Sequence, residues 1–215
     1  MRKDLTELVF ILDRSGSMYG LEQDTIGGFN AMLEKQKAEA GTCVVTTILF
    51  NHEIRIVHDR VDIQQIPALT DKEYTVCGNT ALLDAMGYAM KHIQTIHRYI
   101  REEDRPEHTL FVITTDGMEN ASSHYNADGV RAMVRRQQET CGWEFLFMGA
   151  NIDAVSTAKS IGIDASHAAT YINDPIGVAT NYEAVSEAIC AYRSRKGVTS
   201  SWKDRIQRDY SGRNV

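Results

Sequence analysis

The sequence lacks a long apolar run and an apolar signal core, and both absences limit what the chain can be. No uninterrupted apolar segment approaches the roughly 20 residues that a membrane-spanning helix needs. Near the start, Asp4, Thr6 and Glu7 interrupt the segment that leads into the first predicted strand. We therefore expect a cytoplasmic protein that has no contact with a membrane.

Cysteine and histidine are present, but not in the patterns that bind zinc. The four cysteines form no C-x-x-C pair, and the seven histidines include no H-E-x-x-H motif. His92 and His97 lie five residues apart on a predicted helix and therefore do not share a face. We expect free thiols in a reducing compartment, with a disulfide as the alternative that an even number of cysteines leaves open.

An excess of positive charge is also missing. Lysine and arginine together number 23 against 29 aspartates and glutamates, a net charge of −6. This balance argues against non-specific binding to nucleic acid, whose phosphates require a basic surface. The first predicted strand is followed by neither G-x-G-x-x-G nor a P-loop, so the sequence gives no support to a nucleotide-binding fold of those types.

Apolar strands and amphipathic helices alternate along most of the chain. Strands are predicted at 8–12, 44–50, 54–57, 109–115, 145–148 and, more weakly, 169–172. Helices are predicted from about 18 to 40, after Thr80, around Val130, near 155–161 and near 182–192. The short link at 51–53 requires an antiparallel strand pair. The pattern predicts an α/β fold with a doubly wound, mainly parallel open sheet, one antiparallel edge strand and helices on both faces.

The last residues lose this periodicity. Residues 1–194 are expected to form one domain, and 195–215 to form a polar, basic and flexible C-terminal tail. The alternative is that the basic tail docks on an acidic partner.

The most informative motif is Asp13-Arg14-Ser15-Gly16-Ser17, which follows the apolar first strand. One carboxylate and two hydroxyls at every second position are oxygen ligands of the kind that Mg²⁺ prefers. Such a site supplies little negative charge and would attract an acidic group from outside. The alternative is that the two serines only cap the next helix.

Two further polar residues are predicted to reach the same edge of the sheet. Asp116 follows the strand at 109–115, and Thr80 precedes the second long helix. Ligands of open α/β sheets bind outside the carboxyl ends of the strands, where the winding reverses. Thr80 as a simple helix cap and Asp116-Gly117 as a turn are the structural alternatives. Asp153, which follows the strand at 145–148, is predicted to cap a helix.

With these residues the chain resembles the von Willebrand factor type A family, whose metal-ion-dependent adhesion site joins D-x-S-x-S, a distant threonine and a distant aspartate. The matching positions are Asp13, Ser15, Ser17, Thr80 and Asp116, in the family's order and with none missing. The resemblance covers about residues 5 to 194 and is greatest to short, stand-alone bacterial members. We expect this chain to have neither the signal sequence nor the appended domains of the adhesive, secreted members, and therefore expect no role in cell adhesion.

The resemblance implies that the serines and the threonine bind Mg²⁺ or Mn²⁺, directly or through water, while the aspartates tune the site. A Glu or Asp of a partner protein would complete the metal's shell. Similar bacterial domains occur with AAA+ ATPases, chelatases and stress-resistance systems, and we expect a partner of such a kind. The rim around the metal is predicted to consist of Met18, Tyr19, Asn79, Glu119, Asn120 and Asn151.

The competing hypothesis is a metal-dependent phosphoryl-transfer enzyme or phosphatase that uses Asp13 as its nucleophile. Such chemistry normally needs a second carboxylate near the first and a fixed cation. Here position 15 is serine, and the side chain of Arg14 is expected to point away from its alternating neighbours. We therefore favour a non-enzymatic interaction module.

Overall fold

The computed structural model describes residues 1–213. Within them, six strands form one sheet in the order β3-β2-β1-β4-β5-β6. The strands are β1 (Arg2–Asp13), β2 (Thr42–Phe50), β3 (Ile54–Asp62), β4 (Pro106–Thr115), β5 (Glu144–Ala150) and β6 (Ala168–Tyr171). All neighbouring pairs are parallel except β2 and β3, which are antiparallel and place β3 at an edge. The predicted fold class is confirmed.

Six α-helices accompany these strands in the described part of the chain. They are α1 (Glu22–Ala38), α2 (Leu82–Tyr99), α3 (Ala127–Cys141), α4 (Ala154–Ser160), α5 (Pro175–Arg193) and α6 (Asp204–Arg213). None of the described helices combines the length and apolar character needed to cross a membrane.

The central strand β1 divides the hydrophobic core into two layers. Leu8, Phe10 and Leu12 belong to the layer that contains α1 and α5, while Val9 and Ile11 belong to the layer under α2, α3 and α4. Successive side chains of a strand point to opposite faces, so a strand covered on both sides must be apolar throughout. This explains the unbroken apolar run of β1. It also places β1 and β4 side by side where the winding reverses.

The segment after β1 departs from the predicted helix that starts near residue 18. Gly16–Met18 forms a single 3₁₀ turn, and α1 begins only at Glu22. Between them Gly20 has φ of +90°, a left-handed conformation that glycine adopts without steric cost. The helix is thereby separated from the serine motif, which is left free at the end of the sheet.

The C-terminal segment also differs from the expected flexible tail. Residues 204–213 form helix α6, preceded by a 3₁₀ turn at Ser200–Lys203. Trp202 and Ile206 are buried, and the Trp202 indole donates a hydrogen bond of 2.9 Å to the Ser166 carbonyl. Two apolar residues four positions apart anchor an otherwise polar segment. The charge composition of the segment does not indicate this packing. The segment packs against the domain rather than extending away from it.

The cysteines agree with the expectation of free thiols. All four lie within the described residues and none is paired; Cys43 is buried and Cys77 is exposed.

Candidate metal centre

The candidate site begins where β1 and β4 end side by side. Asp13 is the last residue of β1 and Thr115 the last of β4. The Thr115 hydroxyl donates a hydrogen bond of 2.5 Å to Asp13 Oδ2, and the Asp13 side chain is almost completely buried. The other carboxylate oxygen, Oδ1, accepts a bond of 2.7 Å from the backbone N–H of Ser15. This second bond turns the chain away from the sheet.

The turn brings the two serines of the motif together with the second aspartate. Ser15 Oγ and Ser17 Oγ lie 3.0 Å apart, and the Ser17 hydroxyl donates to Asp116 Oδ1. Ser15 is buried, whereas Ser17 is exposed. Neither serine caps a helix: Ser15 makes no capping bond to the 3₁₀ turn, and α1 is preceded by Leu21. The cap-only alternative for the serines is therefore wrong.

Thr80 reaches the same crevice from the loop before α2. The N-cap position of α2 is Ala81, so the Thr80 hydroxyl does not serve as a cap either. Its backbone is held by Asn120, whose side-chain oxygen accepts the Thr80 N–H at 2.9 Å and whose own N–H donates to the Thr80 carbonyl at 3.0 Å. Thr80 itself is buried.

Gly117 shows how closely Thr80 and Ser17 converge. A Cβ atom at position 117 would lie 2.6 Å from Thr80 Oγ1 and 3.1 Å from Ser17 Oγ, so a side chain here would displace at least one of these hydroxyls. Both hydroxyls thus face the same point beside Asp116. The structure brings together all five residues that the sequence predicted as metal ligands, at the carboxyl edge of β1 and β4.

The electrostatics of the crevice favour a cation. Burial raises the pKa of Asp116 to about 6, and the charge of Asp13 adds to the rise. Burial also raises the pKa of Asp13, against the opposing effect of its hydrogen bonds from Thr115 and Ser15. Two neighbouring carboxyl groups that resist ionisation are stabilised in their charged form by a bound positive ion.

The donor set fits a hard divalent ion. Within residues 1–213, no three side chains of His, Cys, Asp or Glu converge in a way that could hold a metal. The crevice offers oxygen donors alone, three hydroxyls and two carboxylates, and Mg²⁺ and Mn²⁺ prefer oxygen ligands over nitrogen and sulfur.

Four of the six predicted rim residues lie at exposed positions, and their contact with a partner stays a prediction. Tyr19, Asn79, Asn120 and Asn151 are exposed around the crevice, and Tyr19 is 83% exposed. Met18 was predicted wrongly as a rim residue: it is 2% exposed, because the 3₁₀ turn directs its side chain into the core.

Glu119 is the second correction. Its carboxylate accepts hydrogen bonds from the backbone N–H groups of Leu83, Ala121 and Ser122. It therefore fastens the loop after β4 to the start of α2 and is not free to contact a partner. Asp153 caps α4 as predicted, since it accepts the N–H of Ser156.

Three supporting residues were not singled out from the sequence. Asn173 donates a bond of 2.7 Å to Asp116 Oδ2, and the Tyr74 hydroxyl donates one of 2.5 Å to the Asp13 carbonyl. Thr115 holds Asp13 as described above. Thr115 could have been found from its place beside Asp116 and Asn173 from its position after the last strand, whereas nothing in the irregular segment before α2 marks Tyr74.

No protein-family model matches the chain, and no curated protein matches it. Several solved structures match it, with identities of 12–17%. Proximal thread matrix protein 1 from the mussel byssus, solved with a zinc-occupied MIDAS motif, shares 13% identity with a TM-score of 0.60, over 87% of this chain and 46% of that one.

Two further structures are similar. Von Willebrand factor type A from Catenulispora acidiphila shares 16% identity with a TM-score of 0.57, over 88% of this chain and 43% of that one. Manganese-loaded TRAP protein from Plasmodium vivax shares 17% identity with a TM-score of 0.58, over 85% of this chain and 74% of that one. The chain spans less than half the length of the mussel and Catenulispora structures. At these identities the likeness establishes the fold, and the fold of this chain is that of a von Willebrand factor type A domain.

Proposed function

We propose that this chain is a divalent-metal-dependent protein-interaction module. Asp13, Ser15, Ser17, Thr80 and Asp116 would hold Mg²⁺, or Mn²⁺, and a Glu or Asp of a partner protein would bind to the metal. The observation that carries the proposal is the convergence of three hydroxyls and two carboxylates in one crevice at the edge of the sheet.

The hydrogen bonds of the two aspartates support the need for an external carboxylate. All four of their side-chain oxygens accept hydrogen bonds. The Asp13 carboxylate accepts from the Ser15 N–H and the Thr115 hydroxyl. The Asp116 carboxylate accepts from the Ser17 hydroxyl and the Asn173 amide. The neutral hydroxyls would then make up much of the metal's shell. An ion bound mainly by neutral oxygens keeps a high affinity for an added carboxylate, since coordination offsets its charge.

Two of the similar structures support a divalent ion in this position. One is solved with zinc in its MIDAS motif and another is loaded with manganese. Our choice of Mg²⁺ or Mn²⁺ rests on the exclusively oxygen-based donor set of this chain.

The surroundings of Asp13 favour binding over phosphoryl transfer. Both of its carboxylate oxygens are occupied by hydrogen bonds, and the side chain is 2% exposed. Arg14, the nearest cation in sequence, is directed elsewhere, with its guanidinium 3.4 Å from the Thr75 carbonyl and 3.8 Å from Glu53. A nucleophile must be accessible to its substrate, and phosphoryl transfer normally needs a fixed side-chain cation to stabilise the transition state. The burial of Asp13 and the direction of Arg14 argue against both.

The kind of partner is carried over from the family resemblance. We propose a bacterial, cytoplasmic setting in which the partner is an AAA+ ATPase, a chelatase or a component of a stress-resistance system. The feature of such a partner that matters here is one exposed acidic side chain that can reach the crevice.

Metal binding is tested first with purified protein. Mn²⁺ titration monitored by electron paramagnetic resonance should show one binding site. Asp13→Ala should abolish binding at this site, and Thr80→Ala should weaken it. Thr140→Ala, which removes an exposed hydroxyl on α3, is the matched control and should leave binding unchanged. Saturating Mg²⁺ should also stabilise the fold by about 2.7 kcal/mol at a hundredfold excess over Kd. Unchanged Mn²⁺ binding in Asp13→Ala would refute the site.

Partner binding is tested separately. A partner retained on the immobilised protein in Mg²⁺ should be released by EDTA and should not be retained by Thr80→Ala. Circular dichroism of that variant should match the wild type, because Thr80 lies outside the buried stripe of α2. Equal retention in EDTA would show that the interaction does not use the metal.

A further inference from the structure

A second concave site lies on the outer face of α2, apart from the metal crevice. Its volume is about 660 Å³. It lies between α2, the start of β3 and the loop before α3, and the residues of its lining that matter below are Asp84, Tyr88, Lys91, His92, His124 and Tyr125. Cavities that hold small molecules in proteins have volumes of about 300 to 1,000 Å³. None of the five metal-site residues lines this one.

Aromatic rings form much of its wall. The rings of Tyr88 and His92, one helical turn apart, are parallel to within 5° with centroids 6.1 Å apart, and Tyr88 is 41% exposed. Tyr125 packs its ring directly over Gly87, where a Cβ atom would lie 2.6 Å from three ring atoms. The absence of a side chain at position 87 thus lets Tyr125 lie against α2.

The same cavity carries unpaired positive charge. Lys91 is exposed, and its ammonium makes no ion pair or hydrogen bond within residues 1–213. The His124 ring also lines the cavity and makes no side-chain hydrogen bond within residues 1–213. His92 differs, because its Nε2 lies 2.9 Å from the exposed carboxylate of Asp59.

The one carboxylate in the lining does not repel an anion strongly. Both oxygens of Asp84 accept backbone N–H groups, from Ser123 at 2.8 Å, His124 at 2.9 Å and Tyr125 at 2.8 Å. Its charge is therefore offset by three peptide dipoles. The same bonds fix the loop that carries His124 and Tyr125, so this wall of the cavity is formed in advance.

We infer that this cavity binds a small planar aromatic molecule that carries a phosphate or carboxylate group, no larger than a mononucleotide. The ring would lie against Tyr88 and Tyr125, since aromatic faces favour stacked or edge-to-face contacts. The anionic group would pair with the Lys91 ammonium. This mode of binding does not require a P-loop or a G-x-G-x-x-G motif, neither of which follows the first strand.

Isothermal titration in EDTA tests this inference, because removing divalent ions prevents a phosphate from binding at the metal crevice. Adenosine 5′-monophosphate and indole-3-acetate, as phosphate and carboxylate examples, distinguish the two anionic groups. At least one should bind with Kd at or below about 1 mM. Adenosine and ribose 5-phosphate, which each lack one half of the recognised chemistry, should bind at least about tenfold more weakly than adenosine 5′-monophosphate if that is the ligand bound.

Variants locate the binding within the protein. Lys91→Met should weaken the aromatic anion about tenfold and leave adenosine unaffected, while Tyr88→Ala should weaken both. Lys159→Met and Tyr99→Ala alter an exposed lysine and an exposed tyrosine outside the cavity and should change nothing. Failure of both aromatic anions to bind, equal affinity for adenosine, or binding that is unchanged in Lys91→Met and Tyr88→Ala would each overturn the inference.

Discussion

The hydroxyl of Thr115 donates a hydrogen bond of 2.5 Å to Asp13 Oδ2 and so joins the ends of β4 and β1 across 102 positions of sequence. Because Asp13 is buried, this bond both satisfies a carboxylate oxygen and fixes its direction. Ser15 fixes the other oxygen. The direction of the Asp13 carboxylate is thus fixed by hydrogen bonds to both of its oxygens.

Thr115→Val should remove this support while keeping the shape of the side chain. A buried carboxylate oxygen left without its partner is expected to cost about 1 to 3 kcal/mol of unfolding free energy. Urea denaturation in EDTA measures this loss, and Mn²⁺ affinity should fall in parallel. Thr114→Val is the control, since the Thr114 hydroxyl makes no hydrogen bond within the described residues. Equal stability of the two variants would contradict the supporting role of Thr115.

Asp84→Asn should reveal how the loop before α3 is fastened. Burial raises the pKa of Asp84, but the backbone N–H groups of Ser123, Tyr125 and His124 together hold it below the ordinary value of 3.8. The ionised form is therefore favoured by folding. Its stabilisation is fully present above pH 3.8 and is lost as the pH falls through the lower native pKa.

The variant should accordingly lose about 2 kcal/mol of unfolding free energy at pH 7. This difference from the wild type should shrink as the pH is lowered below 3.8. Asp128→Asn, at an exposed position on α3, serves as the control. A difference that stays constant from pH 7 to pH 3 would show that the charge of Asp84 is not involved.

Much of the fold was predictable because its signals are local. The unbroken apolar run of β1 and the short link at 51–53 each follow from spacing alone, and both predictions are confirmed. The convergence of Asp13 with Asp116 was predictable as well, since parallel neighbouring strands end at the same edge. That these residues bind a metal stays a prediction.

The errors concern side-chain direction and long-range contacts. The side chain of Met18 points into the core because Gly16–Met18 forms a 3₁₀ turn. The helical periodicity of the following residues had extended the predicted helix back to residue 18, so this turn was not predicted. The Glu119 carboxylate accepts hydrogen bonds from backbone N–H groups that converge on it only in the folded loop. Asn173 reaches Asp116 across 57 positions of sequence. Its place after the last strand puts it at the same edge of the sheet, but the sequence does not specify this pairing.

The C-terminal segment was expected to be a flexible tail, but it forms helix α6, and this difference can be tested directly. Ile206 is 1% exposed and Trp202 7% exposed, both in the larger core layer. Ile206→Ala should therefore cost about 2 to 4 kcal/mol of unfolding free energy by thermal or urea denaturation. Gln207→Ala, the next residue on α6 and an exposed one, should have little effect. If both variants are as stable as the wild type, this segment is a loose tail in solution.

Gly117→Ala separates the metal site from the fold. The added Cβ would lie 2.6 Å from Thr80 Oγ1 and 3.1 Å from Ser17 Oγ, so one or both hydroxyls must move away from the point where they converge. Gly117 does not have a positive φ, and alanine meets no backbone strain there. The variant should fold, and its Mn²⁺ affinity should fall by at least about tenfold, equivalent to 1.4 kcal/mol.

Gly27→Ala provides the contrast. A Cβ atom at position 27 meets nothing within 4 Å, and the residue lies inside α1, so alanine should raise the unfolding free energy by about 0.4 to 1 kcal/mol without changing Mn²⁺ affinity. Both proteins are compared by circular dichroism, urea denaturation and Mn²⁺ titration. If Gly117→Ala binds Mn²⁺ as tightly as Gly27→Ala, the hydroxyls of Ser17 and Thr80 do not act together on one ion, and the proposed five-residue site is wrong.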